Sequence, residues 1–390
     1  MTGRISLKQI QKPPNKKIKS KNLSANLETE GADQPRAQWY WKSNSDPWSN
    51  GSEEWTKYSD IESAIIEEAF NRKNKTKLAE MDNYWINLND SIQISKSDPN
   101  KHRQIKWVLT SRNGSQGLRE ERFFVTPALS KTFNDDWGKE AYIFLSQWRK
   151  DKELSDAEIV EQAANGIIIE GEQLGQHCNS QYLARQLIAV KNKKREEIYN
   201  RCIHLYTMEC FLYKLINKAL RETATSKINT LRPFCYILFR SWLNTATKHA
   251  AELYRCVNID QNTLKSYAEA AGQDRCWNGF TSTSKNRQKA QNFGNTLFII
   301  DATQNGGLDI SQHSDYDEEE VIFPPATTFT IMEVKKTTTK TYVYLKITNN
   351  TLTKPTPTFV PQTPISLSSD EHCCVESEMP SGAIEHLGDR

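Results

Sequence analysis

The 390-residue chain has no apolar run approaching the ~20 residues that a membrane-spanning helix requires. Its N-terminus also lacks the apolar core of a secretory leader, so the sequence reads as that of an intracellular protein, cytoplasmic or nuclear. Its 8 cysteines form no CxxC pair and stand at no zinc-like spacing from histidine, which disfavours both a structural metal and a disulfide framework and fits reduced thiols. No Gly-x-Gly-x-x-Gly follows a strand-like segment, which argues against a Rossmann-type dinucleotide site. Acid is missing altogether from residues 1–21, which hold seven Lys or Arg, so the net charge of +3 conceals a body of net −4 behind a basic leader.

What is present divides the chain. Residues 1–37 are rich in Lys, Asn, Ser and Pro and poor in large apolar side chains, so they are expected to be disordered; Lys12 to Lys21 reads equally as a nuclear import or nucleic-acid patch and as a solvated tail. Composition changes at Gln38. An aromatic-dense block runs from Trp39-Tyr40-Trp41 through Trp55, Tyr58, Phe70 and Tyr84-Trp85 to Trp107 and predicts a compact domain over 38–109. Strand alternation puts Trp39 and Trp41 on one face, Asp60 is a candidate N-cap for a helix carrying Ile61, Ile65 and Ala69, and Tyr84 to Leu88 reads as a further strand. Residues 110–136 read as a linker, and the Pro-rich then acidic stretch 351–390 as a disordered tail.

The region 137–350 begins as a helical lobe. Ser155 and Glu158 form a capping box ahead of a helix with Ile159, Val160, Ala163, Ala164 and Ile167 inward, and further helices are predicted over Ser180 to Arg195, Tyr206 to Glu222 and Pro233 to Trp242, with another read over Asn244 to Leu253. Short β segments follow. Arg255 lies in the apolar strand Leu253 to Val257, where a buried cation needs an internal anion or an anionic ligand. Phe280-Thr281-Ser282-Thr283-Ser284 is β-prone and hydroxyl-rich, and a helical segment ending at Phe293-Gly294 precedes a strand over Leu297 to Ile300. The acidic stretch from Asp315 to Glu320 then runs into Val321-Ile322-Phe323-Pro324-Pro325. Alternation places Glu318 and Glu320 on one side and Glu319 on the other, so two carboxylates face one pocket.

These residues support two resemblances. The pattern from Trp39 through Glu54-Trp55, Ala69-Phe70, Asn87-Leu88, Ile92-Gln93 and Arg103 to Lys106 resembles a WWE domain, a half-barrel with one helix. That family commonly reads the iso-ADP-ribose unit of poly(ADP-ribose). The resemblance implies Tyr40 and Tyr84 for adenine and ribose, Gln93 for a polar contact, and Arg103, with Lys106, for phosphate. Arg255, the Ser282-Thr283-Ser284 run and Glu318-x-Glu320, in that order, resemble the R-S-E class of arginine-specific mono-ADP-ribosyltransferases. The expected architecture is α+β, with a helical N-terminal lobe beside a β-sandwich-like NAD-binding core. This resemblance implies NAD or NADP as substrate without a metal, and protein arginine as acceptor. It assigns NAD phosphate to Arg255, orientation to Ser282 with Thr283 and Ser284, the acceptor guanidinium to Glu318, and the chemical step to Glu320. Phe293 is a candidate for stacking on nicotinamide. Cys256 departs from the family's usual glycine after the arginine. The competing readings are a catalytically inactive poly(ADP-ribose) reader and an NAD glycohydrolase.

Overall fold

A computed structural model describes residues 36–45, 53–72, 77–110, 119, 122, 153–222, 225–244, 248–249, 251–291 and 294–350. The readings for residues 1–35 and 351–390 and for Phe293 lie outside these residues.

The first sheet is antiparallel and has six strands in the order β2-β1-β6-β5-β4-β3. They are β1 (Arg36–Lys42), β2 (Trp55–Lys57), β3 (Leu78–Glu80), β4 (Tyr84–Asn87), β5 (Ile92–Ser95) and β6 (His102–Thr110). The helix α1 (Asp60–Asn71) packs Ile66 and Ala69 onto Trp39, Ile86 and Ile105. Its N-cap is Ser59 rather than the expected Asp60: the Ser59 hydroxyl accepts from the Glu62 amide, and the Glu62 carboxylate accepts from the Ser59 amide in return. Asp60 is thereby released from capping and turns toward the second domain.

The helical lobe comprises α2 (Asp156–Gln173), α3 (His177–Ile188), α4 (Arg195–Thr207), α5 (Phe211–Arg221) and α6 (Ile228–Asn244). The expected capping box at Ser155 and Glu158 opens α2. Three helix readings need correction. The predicted span from Ser180 to Arg195 is interrupted by a polar turn after Ile188, so that Arg195 begins α4, and Tyr206 lies in the last turn of α4 rather than opening the next helix. Beyond Asn244, which closes α6, the predicted stretch to Leu253 is not helical among the described residues; it contains β7 (Lys248–His249) and the start of β8 (Glu252–Val257).

Nine strands form the second sheet, in the order β7-β12-β13-β10-β8-β11-β15-β14-β9. Alongside β7 and β8 these are β9 (Asp274–Trp277), β10 (Thr281–Ser284), β11 (Thr296–Asp301), β12 (Gly307–Asp309), β13 (Glu320–Phe323), β14 (Thr327–Lys336) and β15 (Thr341–Asn350). Between β10 and β8 the ladder is reduced to the single pair Ser284 with Tyr254, so the sheet has a seam there. Across it the four-stranded and five-stranded halves share one core: Val321 and Phe323 from one half meet Leu253, Phe298 and Phe329 from the other, with Leu264 and Tyr267 of α7 (Gln261–Glu269). This is the sandwich-like arrangement. The helical lobe covers the outer face of the four-stranded half through Ile322, Leu308 and Ile310, and α8 (Arg287–Gln291) contributes Ala290 to the outer face of the other half.

The two domains are not separate bodies. Ile61 of α1 belongs to the core of the helical lobe, Asp82 accepts from the Cys178 amide at 2.8 Å, and Glu68 pairs with Arg185 at 2.7 Å. Among the described residues no helix is long and apolar enough to cross a membrane.

Within the helical lobe α2 and α6 cross at Gly166, where an added Cβ would lie 1.8 Å from the Thr230 carbonyl oxygen. Backbone cannot give way as a flexible side chain can, so Gly166→Ala is expected to lower unfolding stability by about 1–3 kcal/mol, read as a lower denaturant midpoint at unchanged slope.

Candidate active site

The acidic stretch keeps the alternation expected of it beyond the end of the regular strand. From 314 to 320 the even positions Ser314, Tyr316, Glu318 and Glu320 are buried, while Asp315, Asp317 and Glu319 are turned outward. Glu318 and Glu320 both have 0% exposure. The backbone is set by β10, which runs antiparallel to β13 with Ser284 opposite Glu320 and Ser282 opposite Ile322. The Ser284 hydroxyl donates to the Glu318 carbonyl at 2.8 Å and the Thr283 hydroxyl to the Val321 carbonyl at 2.7 Å. These two hydroxyls therefore brace the main chain of the glutamate segment and do not touch the carboxylates. Glu319 adopts φ +48°, a left-handed conformation costly for a residue with a side chain, and its carboxylate is taken by Asn286 and Lys289 on the far side.

Around the two buried carboxylates the chain assembles seats for guanidinium groups. Glu318 accepts from Arg119 Nε at 2.9 Å and Nη2 at 2.7 Å, a bidentate fork, and also from the Arg119 amide at 2.8 Å. The Thr207 carbonyl at the end of α4 accepts from Arg119 Nη1 at 2.6 Å, and the ring of Tyr316 lies 3.8 Å from the guanidinium carbon. Glu320 accepts from Arg122 Nε at 2.8 Å and 3.0 Å, the Tyr206 carbonyl accepts from Arg122 Nη1 at 2.9 Å, and the Tyr206 and Tyr213 rings lie 4.6 Å and 5.0 Å away. Orphan carbonyls at a helix C-terminus carry partial negative charge, so α4 reinforces the carboxylates in attracting cations. Burial alone would depress Arg119 and Arg122, but their carboxylate partners outweigh it and hold both charged.

Arg255 lies near the sheet seam and donates from Nη1 to the Ser282 carbonyl at 2.6 Å. Among the described residues it has no carboxylate ion pair. Burial, with Arg221 close by, depresses its pKa to about 10, the mark of a cation lacking its counter-charge. Cys256 is buried against Leu297 and Ile299.

Of the expected reader residues, the first sheet brings three together. Gln93 pairs directly with Ile86 and Arg103, and the ring of Tyr84 lies 6.0 Å from that of Tyr58, whose hydroxyl donates to Gln93 at 2.5 Å. Tyr40 is not among them: its cross-strand partners are Lys57 and Lys106, and the ammonium of Lys106 sits over the Tyr40 and Trp55 rings on the other face. The aromatic beside Arg103 is Trp41, 5.2 Å from its guanidinium, because register alternation turns Tyr40 away. Arg103 also donates to the carbonyls of Lys42 and Asn44. The period-2 pattern of β1 carried that signal, since it already placed Trp39 and Trp41 together.

Comparison with protein families agrees with this architecture. Residues 37–107 match the WWE domain, and residues 185–353 match the family NAD:arginine ADP-ribosyltransferase. The chain joins a WWE domain to an ADP-ribosyltransferase domain, whose family uses NAD as substrate. Among solved structures it is similar to the type III effector XopAI from Xanthomonas axonopodis pv. citri, at 14% identity over 54% of this chain and 96% of that one, with a TM-score of 0.41. Exoenzyme S from Pseudomonas aeruginosa, solved with human 14-3-3 protein beta and carba-NAD, is 15% identical over 50% of this chain and 89% of its own, with a TM-score of 0.36. The ADP-ribosyltransferase HopU1 of Pseudomonas syringae pv. tomato is 18% identical over 58% of this chain and 100% of its own, with a TM-score of 0.34. Comparison with curated proteins gives no match. Among the described residues no group of three or more His, Cys, Asp or Glu could hold a metal ion.

Tyr316 links this site to the WWE domain: its hydroxyl donates to Asp60 at 2.7 Å and accepts from Lys57 at 3.1 Å. Tyr316→Phe keeps the ring but strips a buried carboxylate of a donor. It should lower stability by about 1–3 kcal/mol, measured by denaturant unfolding of the full chain.

Proposed function

We propose that the chain transfers ADP-ribose from NAD to arginine side chains of proteins, and that its WWE domain directs it to targets already carrying poly(ADP-ribose). One observation carries the arginine reading: the carboxylate of Glu318, the face of Tyr316 and the Thr207 carbonyl together hold a guanidinium group in a bidentate, buried grip. A group held this way presents one nitrogen in a fixed direction.

Cleaving the bond between nicotinamide and ribose leaves positive charge on the sugar, which a preorganised carboxylate stabilises; Glu320, at the head of β13, has that role. Glu318, two residues earlier on the same side, aligns the acceptor nitrogen that takes the sugar carbon as nicotinamide leaves. Arg255, a cation without a carboxylate ion pair among the described residues, takes the NAD phosphates, and the main chain of Ser282 fixes its direction. Phosphate recognition through Arg255 does not distinguish NAD from NADP.

In the WWE domain Trp41, Tyr84, Gln93 and Arg103 form the cradle for iso-ADP-ribose, in which an aromatic face stacks the base and the guanidinium meets phosphate.

Three measurements test this reading. Glu320→Gln should slow nicotinamide release on the order of 100 to 1,000-fold while NAD affinity stays within a few-fold, and Glu318→Gln should lose arginine transfer but keep NAD hydrolysis. Label from NAD should be released from modified protein by neutral hydroxylamine, as arginine linkages are; label that resists it removes the arginine reading, and water as the only acceptor makes the chain a glycohydrolase. Calorimetry of the full chain with iso-ADP-ribose should show Trp41→Ala and Tyr84→Ala each weakening binding by ~1–3 kcal/mol and Tyr40→Ala leaving it nearly unchanged.

A further inference from the structure

The guanidinium groups seated on Glu318 and Glu320 come from the chain itself, from residues that lie in sequence between the WWE domain and the helical lobe. Arg119 fills the place where an acceptor arginine is proposed to sit, and Arg122 covers the carboxylate that is proposed to face the ribose. Both glutamates are fully buried beneath them. A carboxylate forked to one guanidinium has no free edge for a second, and Glu320 cannot reach a sugar while Arg122 takes both of its oxygens.

We propose that Arg119 and Arg122 are an intramolecular pseudosubstrate: they occupy the guanidinium seat and the catalytic carboxylate of a resting form, and NAD and an acceptor arginine enter only after they leave. The inference rests on the roles given above to Glu318 and Glu320. Three features of the seat support it. Its chemistry is that of the proposed acceptor, so an external arginine competes for the same contacts. Its walls, the Tyr316 ring, the Thr207 and Tyr206 carbonyls and the Tyr213 ring, belong to the catalytic domain and remain when the pair departs. The occupant is also imperfectly satisfied, since Arg122 Nη2 is buried without a hydrogen-bond partner among the described residues, which limits how strongly the resting form is held.

A ligand that binds only the open form has its affinity reduced by the fraction of molecules that are open. With an open fraction of about a tenth or less, the full chain carrying Arg119→Ala and Arg122→Ala should bind NAD at least about tenfold more tightly than the parent by calorimetry. Its nicotinamide release at low NAD should rise by a similar factor. Arg119→Lys with Arg122→Lys keeps the charges but loses the fork, so it serves if the alanine variant fails to fold; its NAD affinity should rise severalfold. A synthetic peptide of residues 117–124 added to either open variant should restore inhibition competitively with NAD, and the same peptide with alanine at both arginines should not. Folded variants that bind NAD no more tightly than the parent, or a loss of NAD binding on removing the arginines, would overturn the proposal. Tighter NAD binding without nicotinamide release would leave the pseudosubstrate standing and remove the transferase reading instead.

Discussion

Two carboxylates two residues apart, both shut off from water, set the constraint around which the site is built. Each is met by a guanidinium, and a buried pair broken at one end while water stays excluded is strongly destabilising because it strands the other charge. The α4 terminus, the tyrosine faces and the Glu319 kink can all be understood as answers to that constraint. The first two supply carbonyls and ring faces that hold the cations, and the third turns the intervening acid outward onto Lys289. Thr283 and Ser284 then spend their hydroxyls on main-chain carbonyls, since the direction of the glutamates depends on the backbone that carries them.

What could be read in the sequence was local in origin. The alternation from 314 to 320 is a property of consecutive residues, so the shared side of Glu318 and Glu320 was visible, and Tyr316 was visible by the same rule had the row been extended. The capping box at Ser155 needs only three residues of context. Arg119 and Arg122 were hidden because their partners lie about 200 positions away, and nothing in the Gly-Leu-Arg-Glu-Glu-Arg stretch marks it as destined for the site.

Errors arose where two local signals competed. Asp60 and Ser59 are both good caps; the reciprocal bond with Glu62 selected Ser59 and freed Asp60 for Tyr316. Tyr40 and Trp41 are adjacent aromatics, and only the register against β6 decides which one joins Arg103. The stretch after Asn244 has helix-compatible residues, but pairing of β7 with β12 draws it into the sheet. In the last two cases a long-range partner arbitrated between near-equal local choices.

The helix α1 answers to two masters. Ile66 and Ala69 look inward to the WWE sheet, whereas Ile61 is enclosed in the core of the helical lobe and Asp60 caps the Glu209 amide there. The border drawn by the two sequence families thus cuts through a shared core. A chain severed near residue 110 would bring an isoleucine and a carboxylate, both now enclosed, out onto the surface of the smaller piece, and would leave a hole in the larger.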